Sequence, residues 1–294
     1  MESRPTAVLA LVSAIILVAL AAGALVANLD LEKAADVPEL VEKPDAPEWR
    51  LAPLPDFTRY SAGTERKEAF FGFLFPRIAL ANLEILRQRE GVRALQRVET
   101  LSDEQRQWLE KHGNRLRVNI DSDQFFEKLL RRLDIVPPSL VMAQAANESA
   151  WGTSRFATRG NNLFGQWCFT RGCGIVPGKR TQGMSHEVAA FSHPYESVRS
   201  YLTNLNRHNA YEPLRALRRQ KRERNEFPDG IHLAGGLERY SERGNEYVRE
   251  IRAMINFNEL NTYDKRLRSL IQAESPLAEL YSTVNEYRQR QANQ

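Results

Sequence analysis

The chain has 294 residues, 42% hydrophobic and 27% charged, which excludes a disordered protein and describes an ordinary globular one of one generous or two small domains. Its formal charge of +4 is unevenly spread, because residues 29–60 hold eight acidic side chains against four basic ones. The remainder is therefore distinctly basic, which favours anionic partners such as membranes, nucleic acid or acidic polymers.

Val8 to Ala27 is unbroken by charge, and such a run is long enough to cross a hydrocarbon core of about 30 Å as a helix. Residues 1–28 are therefore expected to be a membrane-anchor helix, or a signal peptide if Ala22-Gly23-Ala24 is cut. Arg4 before the run and acids after it predict a cytoplasmic N-terminus and an exported remainder. Pro38, Pro44, Pro47, Pro53 and Pro55 among the acids of residues 29–60 predict an extended tether.

From residue 61 the pattern turns helical. Phe70, Phe71, Phe73 and Leu74 lead to an interruption expected at Pro76, and Ile78 to Leu95 continues as a second helix. Ser102 and Gln105 fit a capping box, with a stop at His112-Gly113. Asp121 with Gln124 repeats that start signal ahead of the stripe Phe125, Leu129, Leu130 and Leu133.

Pro137 to Phe169, PPSLVMAQAANESAWGTSRFATRGNNLFGQWCF, carries the most chemistry. Pro138 suits a first helical turn, and Val141, Gln144, Ala145 and Glu148 then share one face. That face is small and apolar until it ends in an acid. Thr170 to Phe191 is rich in glycine and short polar residues and predicts a small β-hairpin with a strand at His186 to Phe191. Helices resume at Pro194, with Val198, Tyr201, Leu202 and Leu205 on one face. A later helix follows Gly244-Asn245 and presents Tyr247, Ile251, Met254 and Ile255.

Cys168 and Cys173 are the two cysteines, and an exported location permits a disulfide between them. The spacing Cys168, Cys173, His186, His193 only loosely resembles a zinc site, so no metal and no cofactor are expected. Nucleic-acid binding loses its main support with it. Arg215, Arg218, Arg219, Lys221, Arg222 and Arg224 form a basic run that reads as a solvated helix face.

The aromatics Trp151, Phe156, Phe164 and Trp167 follow Glu148 closely. Apolar neighbours raise a carboxyl pKa and keep a proton available, which is what cleaving a glycosidic bond needs. The same aromatics offer stacking surfaces for sugar rings.

AQAANESAWGTSRFATRGNNLFGQW resembles the signature of the glucosaminidase family of bacterial cell-wall hydrolases, glycoside hydrolase family 73. The match is Ala-x-x-Glu-Ser-x-Trp-Gly-x-Ser followed by Gly-Asn-Asn-Leu-Phe-Gly. The wider layout is similar to the Bax proteins of Gram-negative bacteria, through the Lys67–Pro76 helix, Trp167-Cys168 with Gly172-Cys173-Gly174, and Tyr240-Ser241-x-x-Gly244-x-x-Tyr247. The resemblance implies a mainly α, lysozyme-like helical domain with a small β-hairpin lobe, spanning residues 115–262. Residues 61–114 become a helical extension and residues 263–294 a helical tail.

It also implies cleavage of the β-1,4 bond after N-acetylglucosamine in peptidoglycan, by a periplasmic domain held at the inner membrane. Glu148 matches the family's general acid, and Glu187 stands near the position of a second carboxylate ahead of Phe191 and Tyr195. Tyr240 and Tyr247 match a region in which one tyrosine lines the cleft near the acid, spacing alone not telling which, and the other packs into the core, while Trp151, Asn162, Phe164 and Trp167 are expected to bind substrate. With Glu187 across the cleft as a base, at a carboxyl gap of about 6.5–9.5 Å, water attacks directly; without it, the substrate's N-acetyl group is the nucleophile. Muramidase or lytic transglycosylase activity, or a catalytically silent wall-binding module, are the alternative readings.

Overall fold

A computed structural model of the chain describes residues 47–178 and 186–292. The apolar run Val8–Ala27, and the tether as far as Ala46, lie outside the described residues. The fold is mainly α, with one small antiparallel sheet. The helices are α1 Thr64–Leu95, α2 Asp103–Arg115, α3 Phe125–Arg132, α4 Pro138–Ser149, α5 Arg155–Gly160, α6 Pro194–Arg207, α7 Glu212–Glu223, α8 Gly230–Leu233, α9 Asn245–Phe257, α10 Asn261–Gln272 and α11 Pro276–Ala292. Between α5 and α6 lie β1 Trp167–Cys168, β2 Gly174–Ile175 and β3 Glu187–Ala189, with β3 in the middle. Trp167 pairs with Val188 and Cys168 with Glu187, and Gly174 pairs with Ala189 on the other edge.

α1 is one continuous helix, with no break at Pro76. Burial on both sides of the proline, from Ala69 to Asn82, holds it. The Arg77 side chain, just after the proline, donates to the Phe73 carbonyl at 2.7 Å, adding a side-chain bond within that turn. Among the described residues α1 is the helix long and apolar enough to cross a membrane, but 72% of that stretch is buried inside the protein, as in a core helix.

The second guanidinium nitrogen of Arg77 reaches the Trp49 carbonyl at 2.8 Å. Trp49, Phe57 and Tyr60 are all buried, so residues 47–60 are packed onto the domain and do not act as tether. Prolines set the backbone there without preventing the aromatics between them from burying apolar area. The C-terminal helices pack back as well: α11 lies on α1, and Leu267, Leu280 and Val284 belong to the same core as α1 and α4. Residues 61–114 and 263–294 are thus parts of one body with the central domain.

The Ser102–Gln105 capping box forms in both directions. α2 then runs past His112-Gly113 to Arg115, and the chain reverses at Arg117, whose φ is 59°. The expected cap at Asp121 and Gln124 does not form; Gln124 takes a left-handed φ of 59° and α3 starts without a side-chain cap.

α4 lies at the centre, against α1, α8, α9 and α10, with Pro138 to Ala146 buried. A helix buried all round must satisfy its first N–H groups inside the protein. Asp264 of α10 does this, accepting from the Ser139 amide at 2.8 Å, the Ser139 hydroxyl at 2.6 Å and the Gly230 amide at 3.1 Å.

The basic run corrects the expectation of a solvated face. Arg215 and Arg218 are buried, Arg218 against the buried carboxylate of Asp134 and Arg215 on the carbonyls of Leu205 and His208. Arg218 donates to the carbonyls of Asp134 and Ile135 and to Asn206 Oδ1 at 2.7–3.0 Å, and Arg222 reaches both Asp134 oxygens at 2.8 and 3.1 Å. Burial pushes the Asp134 carboxyl up, but Arg218, Arg222 and Arg89 together hold it down at about 2. Removing one partner of such a buried network leaves a charge unpaired. Arg218→Met is expected to lower unfolding free energy by about 3–5 kcal/mol in urea titrations. Arg219→Met, which breaks only the exposed pair with Glu223, should change it by less than about 1 kcal/mol; equal, small losses would restore the solvated-face reading.

Candidate active site

Glu148 sits one residue before the end of α4, and its side chain is half-buried. The chain turns sharply behind it: Ala150, Trp151 and Gly152 have φ of 49°, 58° and 77°. Ser149 secures the turn, donating to the Ala145 carbonyl at 2.6 Å and accepting from the Gly152 amide at 2.8 Å. Gly152 is required, since a Cβ there would lie 2.6 Å from the ring of Phe57. Ser154 caps α5 through the Ala157 amide. The serines and glycine of the motif are therefore the scaffold that ends α4 at its acid.

Gln144, one turn before Glu148, is completely buried. Tyr201 of α6 donates to its Oε1, and its Nε2 donates to the Tyr247 hydroxyl of α9 at 2.9 Å. Tyr247 in turn donates to Glu148 Oε1 at 2.8 Å. The chain of donors runs one way, from Tyr201 to Glu148, and each member is fixed by the one before. With Oε1 occupied, Oε2 is the oxygen left to carry a transferable proton. Beside it lies Gly165, where a Cβ would stand 3.9 Å from Oε2 on a backbone with φ 61°.

Burial is the largest influence on Glu148 and raises its pKa. The hydrogen bonds from Tyr247 and Asn147 and the charge of Arg243 pull the other way, but the net shift is upward. The Tyr247 hydroxyl is itself driven far up by burial and by Tyr240 and Glu148, so it stays a donor at any physiological pH.

Tyr240 stacks on Tyr247 with centroids 5.3 Å apart and donates to the Phe164 carbonyl at 3.0 Å. Phe164, buried, stacks on Tyr201 at 4.0 Å. The structure thus gathers Glu148, Tyr240, Tyr247 and Phe164 in one place. Two further tyrosines join them: Tyr201, expected only as part of the apolar face of α6, and Tyr211, whose ring is 6.1 Å from Tyr240. The usable signal is a tyrosine at an apolar position, since a buried hydroxyl needs a partner.

The other expected residues have contacts of their own. Asn162 is 1% exposed, and all four of its bonding positions hold the loop. Its Nδ2 donates to the Gln166 and Ala189 carbonyls, and its Oδ1 accepts from the amides of Phe164 and Gln166. Trp151 packs half-buried against Phe70 and Phe71, with the Lys67 ammonium 5.3 Å from its ring centre. Trp167 is 58% exposed on the β lobe, stacked on His186 at 4.2 Å.

Cys168 and Cys173 form a disulfide. Glu187, 5% exposed, lies under that loop, its two oxygens accepting from the amides of Gly172 at 3.0 Å and Gly174 at 2.9 Å. Cys168, Cys173 and Glu187 form a close group of potential metal-ligand atoms, but the disulfide engages both sulfurs and leaves no thiolate to ligate.

A family profile described as mannosyl-glycoprotein endo-beta-N-acetylglucosaminidase, the glucosaminidase domain, matches residues 123–274. Protein bax of Escherichia coli (strain K12) is 36% identical over 209 residues, covering 70% of this chain and 74% of that protein. No solved structure matches. The matched span runs from the turn before α3 to the end of α10 and so contains Glu148, the tyrosines and the β lobe. The chain belongs to the glucosaminidase family.

Proposed function

We propose that the protein is a peptidoglycan hydrolase that cleaves the β-1,4 bond after N-acetylglucosamine, with Glu148 as general acid. The observation that carries this reading is the half-buried, upward-shifted Glu148, with Tyr247 donating to its Oε1. The Oε2 proton passes to the glycosidic oxygen as the C1–O bond breaks. The occupation of both Glu187 oxygens by loop amides supports the substrate's own acetamido oxygen as the group that attacks C1. Water then opens the cyclic intermediate, giving a proton back to the Glu148 carboxylate. Half-buried Tyr240, stacked on buried Tyr247, would stand beside the sugar that is cut, and exposed Trp167 offers a platform further out for a ring to stack on. Val8–Ala27 would hold this domain at the membrane on the exported side.

Glu148→Gln removes the transferable proton and is expected to slow muropeptide release from purified peptidoglycan by about 10²–10⁴-fold with the fold intact. Wild-type release by that variant would sink the acid assignment. Mass spectrometry of reduced wild-type products should show N-acetylglucosaminitol at the new ends. N-acetylmuramitol would mean a muramidase, anhydro-muramic ends a transglycosylase, and no products a binding module.

Tyr247→Phe supplies a second test through the pH profile. The Tyr247 hydroxyl donates to the ionised carboxylate and favours it, so its loss raises the Glu148 pKa further. A general acid fails when it deprotonates, so the alkaline limb of kcat/KM should move to higher pH. An unmoved limb would mean that Tyr247 does not act on the catalytic proton.

A further inference from the structure

The turn after α2, α3 and the start of α7 line a concavity of about 380 Å³. Arg117, Lys128, Arg131, Arg132 and Arg215 line it, with Glu212 the acid among the lining residues. Glu212 is already taken by Arg131. The Arg132 guanidinium is held by the carbonyls of Leu116 at 2.5 Å and of Arg117 and Arg207 at 3.2 Å. Arg215 is held by those of Leu205 and His208 at 2.9 Å. Carbonyls orient a guanidinium without neutralising it, so the cations act on one another. Burial, then Arg117 and Arg131, lower the Arg132 pKa; burial, then Arg132, bring Arg215 to about 10 although Glu212 opposes. An anion entering here would meet pre-oriented donors and relieve that repulsion.

The pocket is joined to the wall of the proposed active site. His208, whose carbonyl holds Arg215, lies 5.8 Å from the Tyr211 ring; Tyr211 lies 6.1 Å from Tyr240, which stacks on Tyr247. Arg239, next to Tyr240 in the chain, acts on His208 together with Arg117, Arg207 and Arg215. Tyr211 and Tyr247 are themselves buried, so this chain of rings sets the basic rim near Glu148 through the core, on the side to which a glycan strand bound at Glu148 could extend. The groups such a strand projects sideways are its peptide stems, which carry several free carboxylates, the anions that arginine forks bind in bidentate fashion.

We propose that this pocket binds the stem carboxylates of the peptidoglycan strand whose sugars lie at Glu148, an inference that rests on the function proposed above. Binding is measured apart from cleavage with the Glu148→Gln protein, on whole sacculi and on glycan strands stripped of stems by an amidase. Sacculi should bind about 5-fold more tightly than stripped strands at low salt, with the gap narrowing as salt rises. Arg117→Gln with Lys128→Gln should cost about 5-fold on sacculi and close the gap, whereas Arg224→Gln, an exposed cation outside the pocket, should leave it open.

Equal binding to both polymers, or a preference that survives the double substitution, overturns the proposal even when product analysis upholds the cleavage. Binding to phosphatidylglycerol vesicles that falls with the double substitution while sacculus binding does not also overturns it, in favour of a lipid site. A stem preference lost in the double variant, with no N-acetylglucosaminitol formed by wild type, upholds the pocket and overturns the cleavage reading alone.

Discussion

The buried amide of Gln144 is the constraint on which the site depends. With no access to water, its oxygen and its nitrogen both need partners inside the protein, and an unmet one costs about 1–3 kcal/mol. Tyr201 supplies the donor and Tyr247 the acceptor. Once the amide is oriented this way, the Tyr247 proton has one place to go, and that place is Glu148. A core residue one helical turn away thus determines which oxygen of the acid Tyr247 engages.

That arrangement requires α4, α6 and α9 to meet at fixed register, and the rest of the fold provides it. Asp264 closes the N-terminal end of α4, where its carboxyl is pushed up to about 6 by burial against the pull of its Ser139 and Gly230 donors. The turn at Ala150 to Gly152 closes the other end and packs on Phe57, from the segment before α1. The Asp134 network fixes α7 to the strand of chain that leads into α4. Both ends of the acid-bearing helix are therefore anchored by residues distant in sequence.

Local signals were the ones legible in the sequence. The Ser102–Gln105 box, the proline start of α4 and the shared face of Gln144 and Glu148 depend on neighbours within one or two turns, and all form. The placement of β3 within His186 to Phe191 follows from the same kind of short-range pattern. What escaped was set by tertiary partners. Pro76 is accommodated because the helix is buried around it, and Arg218 is buried because Asp134 lies opposite. Glu187 looked like an acid in the right order along the chain, but its direction is determined by two amides of a disulfide loop. Trp151 and Asn162 carry the family motif yet spend their side chains on packing and on loop bonds. A motif marks a site as a unit; it does not separate the residue that reacts from those that hold it.

The central claim, that burial raises the pKa of Glu148 and Tyr247 only partly opposes it, is tested most directly by the side-chain carboxyl itself. A carbon-detected NMR titration of the glutamates, with the Glu148 signal assigned by its absence in Glu148→Gln, reads that proton without any substrate. The account predicts a midpoint above the ordinary glutamate value of about 4.3. A midpoint at or below it would contradict the account.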